Sequence, residues 1–80
     1  MSSSELYHFT DAVILKFREA GLDPHSLEIV QGTAYTTASE WLGELGLAAR
    51  KVEEQILHRE GLRKDLETIL WEVHQIWPNI

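Results

Sequence analysis

Residues 62–78 read LRKDLETILWEVHQIWP, and the spacing of their apolar side chains decides the fold. Leu62, Leu66, Ile69, Val73 and Ile76 recur at intervals of three and four. At about 100° of rotation per residue they gather on one face of a helix, which Leu70 and Trp77 widen. Pro78 closes the run, because proline cannot continue the hydrogen-bond ladder. The same rotation carries Trp71 almost opposite the centre of that stripe, among Lys64, Glu67, Thr68, His74 and Gln75.

Upstream, Thr37-Ala38-Ser39-Glu40 has capping-box spacing, and Trp41, Leu45, Ala48, Val52 and Ile56 follow on one face with Leu42 and Ala49 beside them. A long amphipathic helix is expected there. Gly43 and Gly46 weaken it by about 1 kcal/mol each relative to alanine, so they either admit a close neighbour or mark a kink. Gly46-Leu47 is a candidate stop. Gly-Leu recurs at Gly21 and Gly61, each time after Arg-Glu, and both are read as helix ends; no unit of 20–50 residues repeats around them.

The N-terminal third opens on serines. Ser2 and Glu5 also have capping-box spacing, with Ser3 and Ser4 as alternative caps, so a helix is expected from about residue 4. Leu6, Phe9, Val13, Phe17 and Ala20 form its stripe, and Gly21 with Leu22 forms a Schellman-type stop. Asp23-Pro24 reads as an N-cap and first helical residue, predicting a short helix over 24–30. The competing reading pairs 27–30 with 35–37 as a hairpin around Gln31-Gly32. The expected architecture is one all-α domain over residues 1–80, with 1–3 as a flexible N-terminal tail. It is a small antiparallel bundle of three long helices plus one short helix.

Eighty residues leave room for a single domain, and 44% hydrophobic with 25% charged residues is the composition of a folded globular chain. Thirteen Asp and Glu against seven Lys and Arg give a net charge of −6. That charge opposes a general nucleic-acid or anionic-membrane binder, both of which need a basic footprint. No window resembles a signal peptide or a membrane span. The absence of cysteine excludes disulfides and thiolate chemistry and permits a reducing compartment, so the cytoplasm is the default location.

The chain carries few residues in chemically suggestive patterns. His8, His25, His58 and His74 include no i,i+4 pair, and a metal would need ligands assembled across helices, for instance His8 with Glu5 or His74 with Glu67. Neighbouring carboxylates such as Glu53 and Glu54 diverge on a helix, and no Ser-His-Asp unit or Gly-rich phosphate loop is present. No enzyme, cofactor or metal is expected. Positive charge concentrates at Arg50, Lys51, Arg59, Arg63 and Lys64. A DNA-binding regulator using Arg59, Arg63 and Lys64 is the least favoured reading, because Glu53, Glu54 and Glu60 are mixed in.

The informative residues are large apolar side chains off their stripes. Trp71 resembles an interface anchor. Leu15 lies opposite the first stripe beside His8, Asp11 and Glu19, and Leu47 lies opposite the third near Gly43, Arg50 and Glu54. Tyr35 sits in a polar loop where exposure is easy. The leading expectation is a protein-binding module, an inhibitor of the immunity-protein or antitoxin type that masks a basic, nuclease-like partner. Glu5, Asp11, Glu19, Asp23, Glu28, Glu40 and Glu44 supply the field, and Trp71 and Tyr35 the anchors. Within that set Trp71, Tyr35, Glu40, Glu44, Asp11, Glu19, Leu15 and Leu47 are the candidate contacts. The alternative is a homo-oligomer or assembly module that buries Trp71, Leu15 and Leu47.

Overall fold

Ser2 sets the start of the first helix. Its hydroxyl accepts the Glu5 backbone N–H at 3.1 Å while the Glu5 carboxylate accepts the Ser2 N–H at 2.8 Å, a complete capping box for α1 (Ser3–Glu19). The tail expected over residues 1–3 therefore supplies the cap and the first helical residue. At the other end Gly21 adopts φ +73°, Leu22 N–H bonds Phe17 C=O at 2.9 Å and Gly21 N–H bonds Arg18 C=O at 3.0 Å. These are the two bonds of a Schellman stop, and the positive φ explains the glycine.

The computed structural model describes all residues from Met1 to Ile80, and every regular element in it is helical. After α1 come α2 (His25–Gln31), α3 (Ala38–Val52) running into a 3-10 turn (Glu53–Ile56), and α4 (Glu60–His74), packed together as four helices. The hairpin alternative is thereby excluded. The short helix begins one residue later than expected: Pro24 is the N-cap rather than the first helical residue, and Asp23, one position before it, accepts the His25 N–H on Oδ1 at 2.9 Å.

Three further boundaries differ from the expected ones, each for a physical reason. Gly46 does not stop the third helix: it lies in its middle, where an added Cβ would come within 2.7 Å of Val73 Cγ1 and 2.8 Å of Ile80 Cγ2. The glycine is there for close packing. Gly61 is not a helix end either; it lies in the first turn of α4 without a positive φ, and the preceding chain turns where Arg59 N–H bonds Ile56 C=O at 3.0 Å. Finally, α4 ends at His74, so Ile76 and Trp77 leave the helical face and Ile76 is exposed. Pro78 cannot donate to His74 and disfavours helical backbone at Trp77, so the ladder closes early through bonds from Ile76 and Trp77 to Val73 C=O at 3.0 and 2.8 Å.

Each element sends at least one fully buried side chain to a common core: Phe17, Leu27, Leu45, Ile56, Leu66 and Ile69 among them. Each contributes about 1.5–3 kcal/mol relative to exposure. Gln31 then fastens three helices. Its amide donates to Tyr7 C=O and to Asp11 Oδ1, both at 2.9 Å, and its Oε1 accepts the Trp41 indole N–H at 3.2 Å, while Tyr7 Oη donates to Gln31 C=O at 2.9 Å. Ser26 Oγ donating to Ala48 C=O at 2.9 Å ties α2 to α3. The Gln55 amide exchanges two 2.8 Å bonds with the Asp23 backbone.

Candidate interaction surface

The unwound end of α4 builds one wall of the site. Residues 75–80 turn back along α3, where the Trp77 indole lies against Gly43, its Cε2 3.3 Å from where a Cβ would be, and its N–H donates to Ser39 C=O at 2.8 Å. Ile80 settles over Gly46, and Arg50 Nε donates to Ile80 C=O at 3.0 Å. The two glycines admit this segment because neither has a side chain to keep it out.

Between α3 and this segment lies a depression of about 300 Å3 that gathers Tyr35, Glu40, Glu44 and Leu47 with Trp77 and Ile80. On the other side of Leu47 a groove of about 460 Å3 separates α2 from α3, floored by Val30 and Ala48 and edged by Ile29, with Lys51 and Arg50 among its lining. Tyr35, Glu44 and Leu47 line both. Leu47, 49% exposed, is thus a ridge between two apolar troughs, with carboxylates along one end and cations at the other.

Four of the eight candidate residues therefore meet on one face. The others do not join them. Asp11 spends its carboxylate on Gln31; Leu15 and Glu19 stand on the outer face of α1 and line no depression. Trp71 is on α4 beside Arg50, Glu67, Leu70 and His74. The three apolar residues Trp71, Leu15 and Leu47 do not form one patch. Ile29, Trp77 and Ile80 belong to the face and were missed. The spacing of Leu27 and Val30 on the expected short helix turns Ile29 outward, a signal present in the sequence; Trp77 and Ile80 give none, because the apolar stripe of the last helix runs on to Pro78.

Most of the chain's cations are paired. Lys16 pairs with Asp65 at 2.8 Å, Arg18 with Glu28, Arg50 with Glu53 at 3.0 Å, Lys64 with Glu60 at 3.3 Å and Arg63 with Glu67 at 3.9 Å. Glu40 and Glu44 have no cationic partner, nor do Glu5, Asp11, Glu19, Asp23 and Glu54. Two groups have shifted acidity, both away from this face. Hydrogen bonds from the Ser2 backbone and side chain hold the Glu5 carboxyl below its ordinary value, and the hydrogen bond to Glu72 raises the Met1 ammonium above its own.

No group of three metal-donor side chains comes together, and no helix is long and apolar enough to cross a membrane. A hydroxyl-lined hollow of about 400 Å3 between the start of α1 and the loop before α3 rests on Tyr7 and Trp41, whose polar atoms are already used in the Gln31 network. Comparison with known proteins found no matching family model, no matching curated protein and no matching solved structure.

Proposed function

We propose that this is a small protein-binding module that works by occupancy rather than catalysis, with the Leu47 ridge as its contact surface and a basic protein as its partner. An inhibitor of the immunity-protein or antitoxin type, laid over the cationic site of a nuclease-like enzyme, fits that description. The observation that carries it is the convergence of Tyr35, Glu40, Glu44 and Leu47 with Trp77 and Ile80: an apolar centre with an aromatic anchor at each end, edged by carboxylates that no cation of the chain neutralises. Buried aromatic and aliphatic anchors give such a contact its lifetime, and the uncompensated negative field raises the encounter rate with a positive surface. A protein partner is favoured over a nucleic acid because Arg63 and Lys64 each face a glutamate one turn away, so phosphate would have to displace those pairs. The scaffold is read as an antiparallel bundle of three long helices and one short, supported by Lys16–Asp65 and Met1–Glu72, which join opposite ends of α1 and α4.

The test is pairwise kinetics. A protein captured by the immobilised wild type at low salt is purified and its association measured by stopped flow against ionic strength, with wild type, Glu40→Lys/Glu44→Lys and Leu47→Asp. The expected result is an association rate that falls with salt and with the double charge reversal, and a dissociation rate that rises with Leu47→Asp. A partner whose rates ignore both salt and these substitutions would refute the reading.

A further inference from the structure

A second apolar face lies across Arg50 from the Leu47 ridge. Trp71, 62% exposed, and Leu57, 56% exposed, stand over two adjoining depressions of about 270 and 200 Å3 that share Arg50, Glu67 and Leu70. The three tryptophans differ in what their indole N–H groups do. Trp41 donates to Gln31 and Trp77 to Ser39, both within the chain, whereas Trp71 has no intramolecular acceptor. A side chain that leaves on the order of 150 Å2 of aromatic surface and a free donor in solvent has the anatomy of an interface centre.

We propose that this face joins two copies of the chain through Trp71 and Leu57. Charge favours a second copy as the occupant. In a two-fold contact the face meets its own image, so it must carry both signs to be self-complementary. This one does: Arg50 and Arg63 stand beside Glu53 and Glu67, and the Arg63–Glu67 pair, at 3.9 Å, is loose enough to re-form across the two-fold. On the Leu47 ridge, by contrast, Glu40 and Glu44 have no ion-pair partner within the chain, while Arg50 and Lys51 line the far end of its groove. For a chain of net charge −6, a balanced face is where two copies can approach without added repulsion. Association also reinforces a small core by mass action.

Light scattering during size-exclusion chromatography tests this, from about 10 μM to about 1 mM, the range in which mass action resolves weak dimers. The mass of the wild type should climb from 9.2 kDa toward twice that value. Trp71→Glu and Leu57→Glu should hold it at the monomer mass with unchanged helical circular dichroism, while Glu44→Lys follows the wild type. A wild type that stays monomeric throughout overturns the proposal. So does a dimer that survives Trp71→Glu or Leu57→Glu, or one abolished by Glu44→Lys alone. Should Trp71→Glu not fold, Leu57→Glu and the charge reversal Arg63→Glu give the same reading.

Discussion

Replacing Gly46 and, separately, Gly61 by alanine sets one substitution in two environments that the structure makes opposite. Both residues are helical with ordinary φ, so alanine gains up to about 1 kcal/mol of helix propensity at either, less at Gly61 in the first turn. At Gly61 an added Cβ meets nothing within 4 Å, and the gain stands. At Gly46 it would sit 2.7 Å from Val73 Cγ1 and 2.8 Å from Ile80 Cγ2, against an optimum of about 3.5–4.0 Å for carbon pairs. Val73 is fully buried and β-branched in a helix, so rotation about χ1 gives it no escape. Ile80, partly buried at the end of the segment, must shift as well. Overpacking of this kind costs about 1–3 kcal/mol, so Gly46→Ala should be net destabilised by up to about 2 kcal/mol. Urea unfolding followed by circular dichroism gives the two stabilities, and amide and indole NMR signals report whether Trp77 keeps its bond to Ser39. Gly46→Ala gaining as much as Gly61→Ala, with the Trp77 indole signal unmoved, would refute the close-packing explanation of that glycine.

Three further outcomes follow from single residues. Thr10 is 0% exposed and its Oγ1 has no hydrogen-bond partner, so Thr10→Val should stabilise by about 1–3 kcal/mol in urea unfolding; a loss would mean that the hydroxyl is satisfied. Gln31→Leu strips the Trp41 indole of its acceptor and removes the two amide bonds to Tyr7 C=O and Asp11 on α1, leaving the Tyr7 hydroxyl bond to the residue 31 backbone. A cost of about 1–3 kcal/mol is expected, and an unchanged midpoint would dismiss Gln31 as a fastening. Because the folded state holds the Glu5 carboxyl below its ordinary value, its contribution to stability is complete above the unfolded value and disappears as pH falls through the folded one. A carboxyl-carbon NMR titration should place Glu5 below an ordinary glutamate, with Glu5→Gln removing that part of the acid dependence of stability; a midpoint at or above the ordinary value contradicts the capping box.

The helical class was legible because each stripe repeats at three and four and because the stops are local chemistry. Ser2, Gly21 and Asp23 act within a few residues of their own positions, so sequence spacing contains all the information they use. Gly46, Gly61 and Trp77 are different. Whether a glycine ends a helix or admits a neighbour depends on what lies across from it, and nothing within ten residues of Gly46 shows that Val73 and Ile80 do. Trp77 lies on the helical stripe by spacing but leaves it because Pro78 acts backward over a full turn, and the side chains freed by that unwinding pack over the two glycines.

The same distinction explains the site. Glu40, Glu44 and Leu47 share one helix face at spacings of four and three, and the two troughs border that face; Asp11 could not be separated from them by pattern, because its carboxylate is taken by Gln31 from another helix. Off-stripe apolar residues find surfaces, but they do not say which residues belong to the same surface. Trp71 and Leu47 looked alike in sequence, yet they lie on either side of Arg50, one amid charges of both signs and the other beside unpaired carboxylates. That difference in charge, rather than their shared hydrophobicity, is the basis on which we propose different partners for them. In the contacts we propose, the Trp71 face meets its own image and the Glu40–Glu44 end of the Leu47 ridge meets a cationic partner, with residues 75–80, held on α3 by Gly43 and Gly46, lining that ridge.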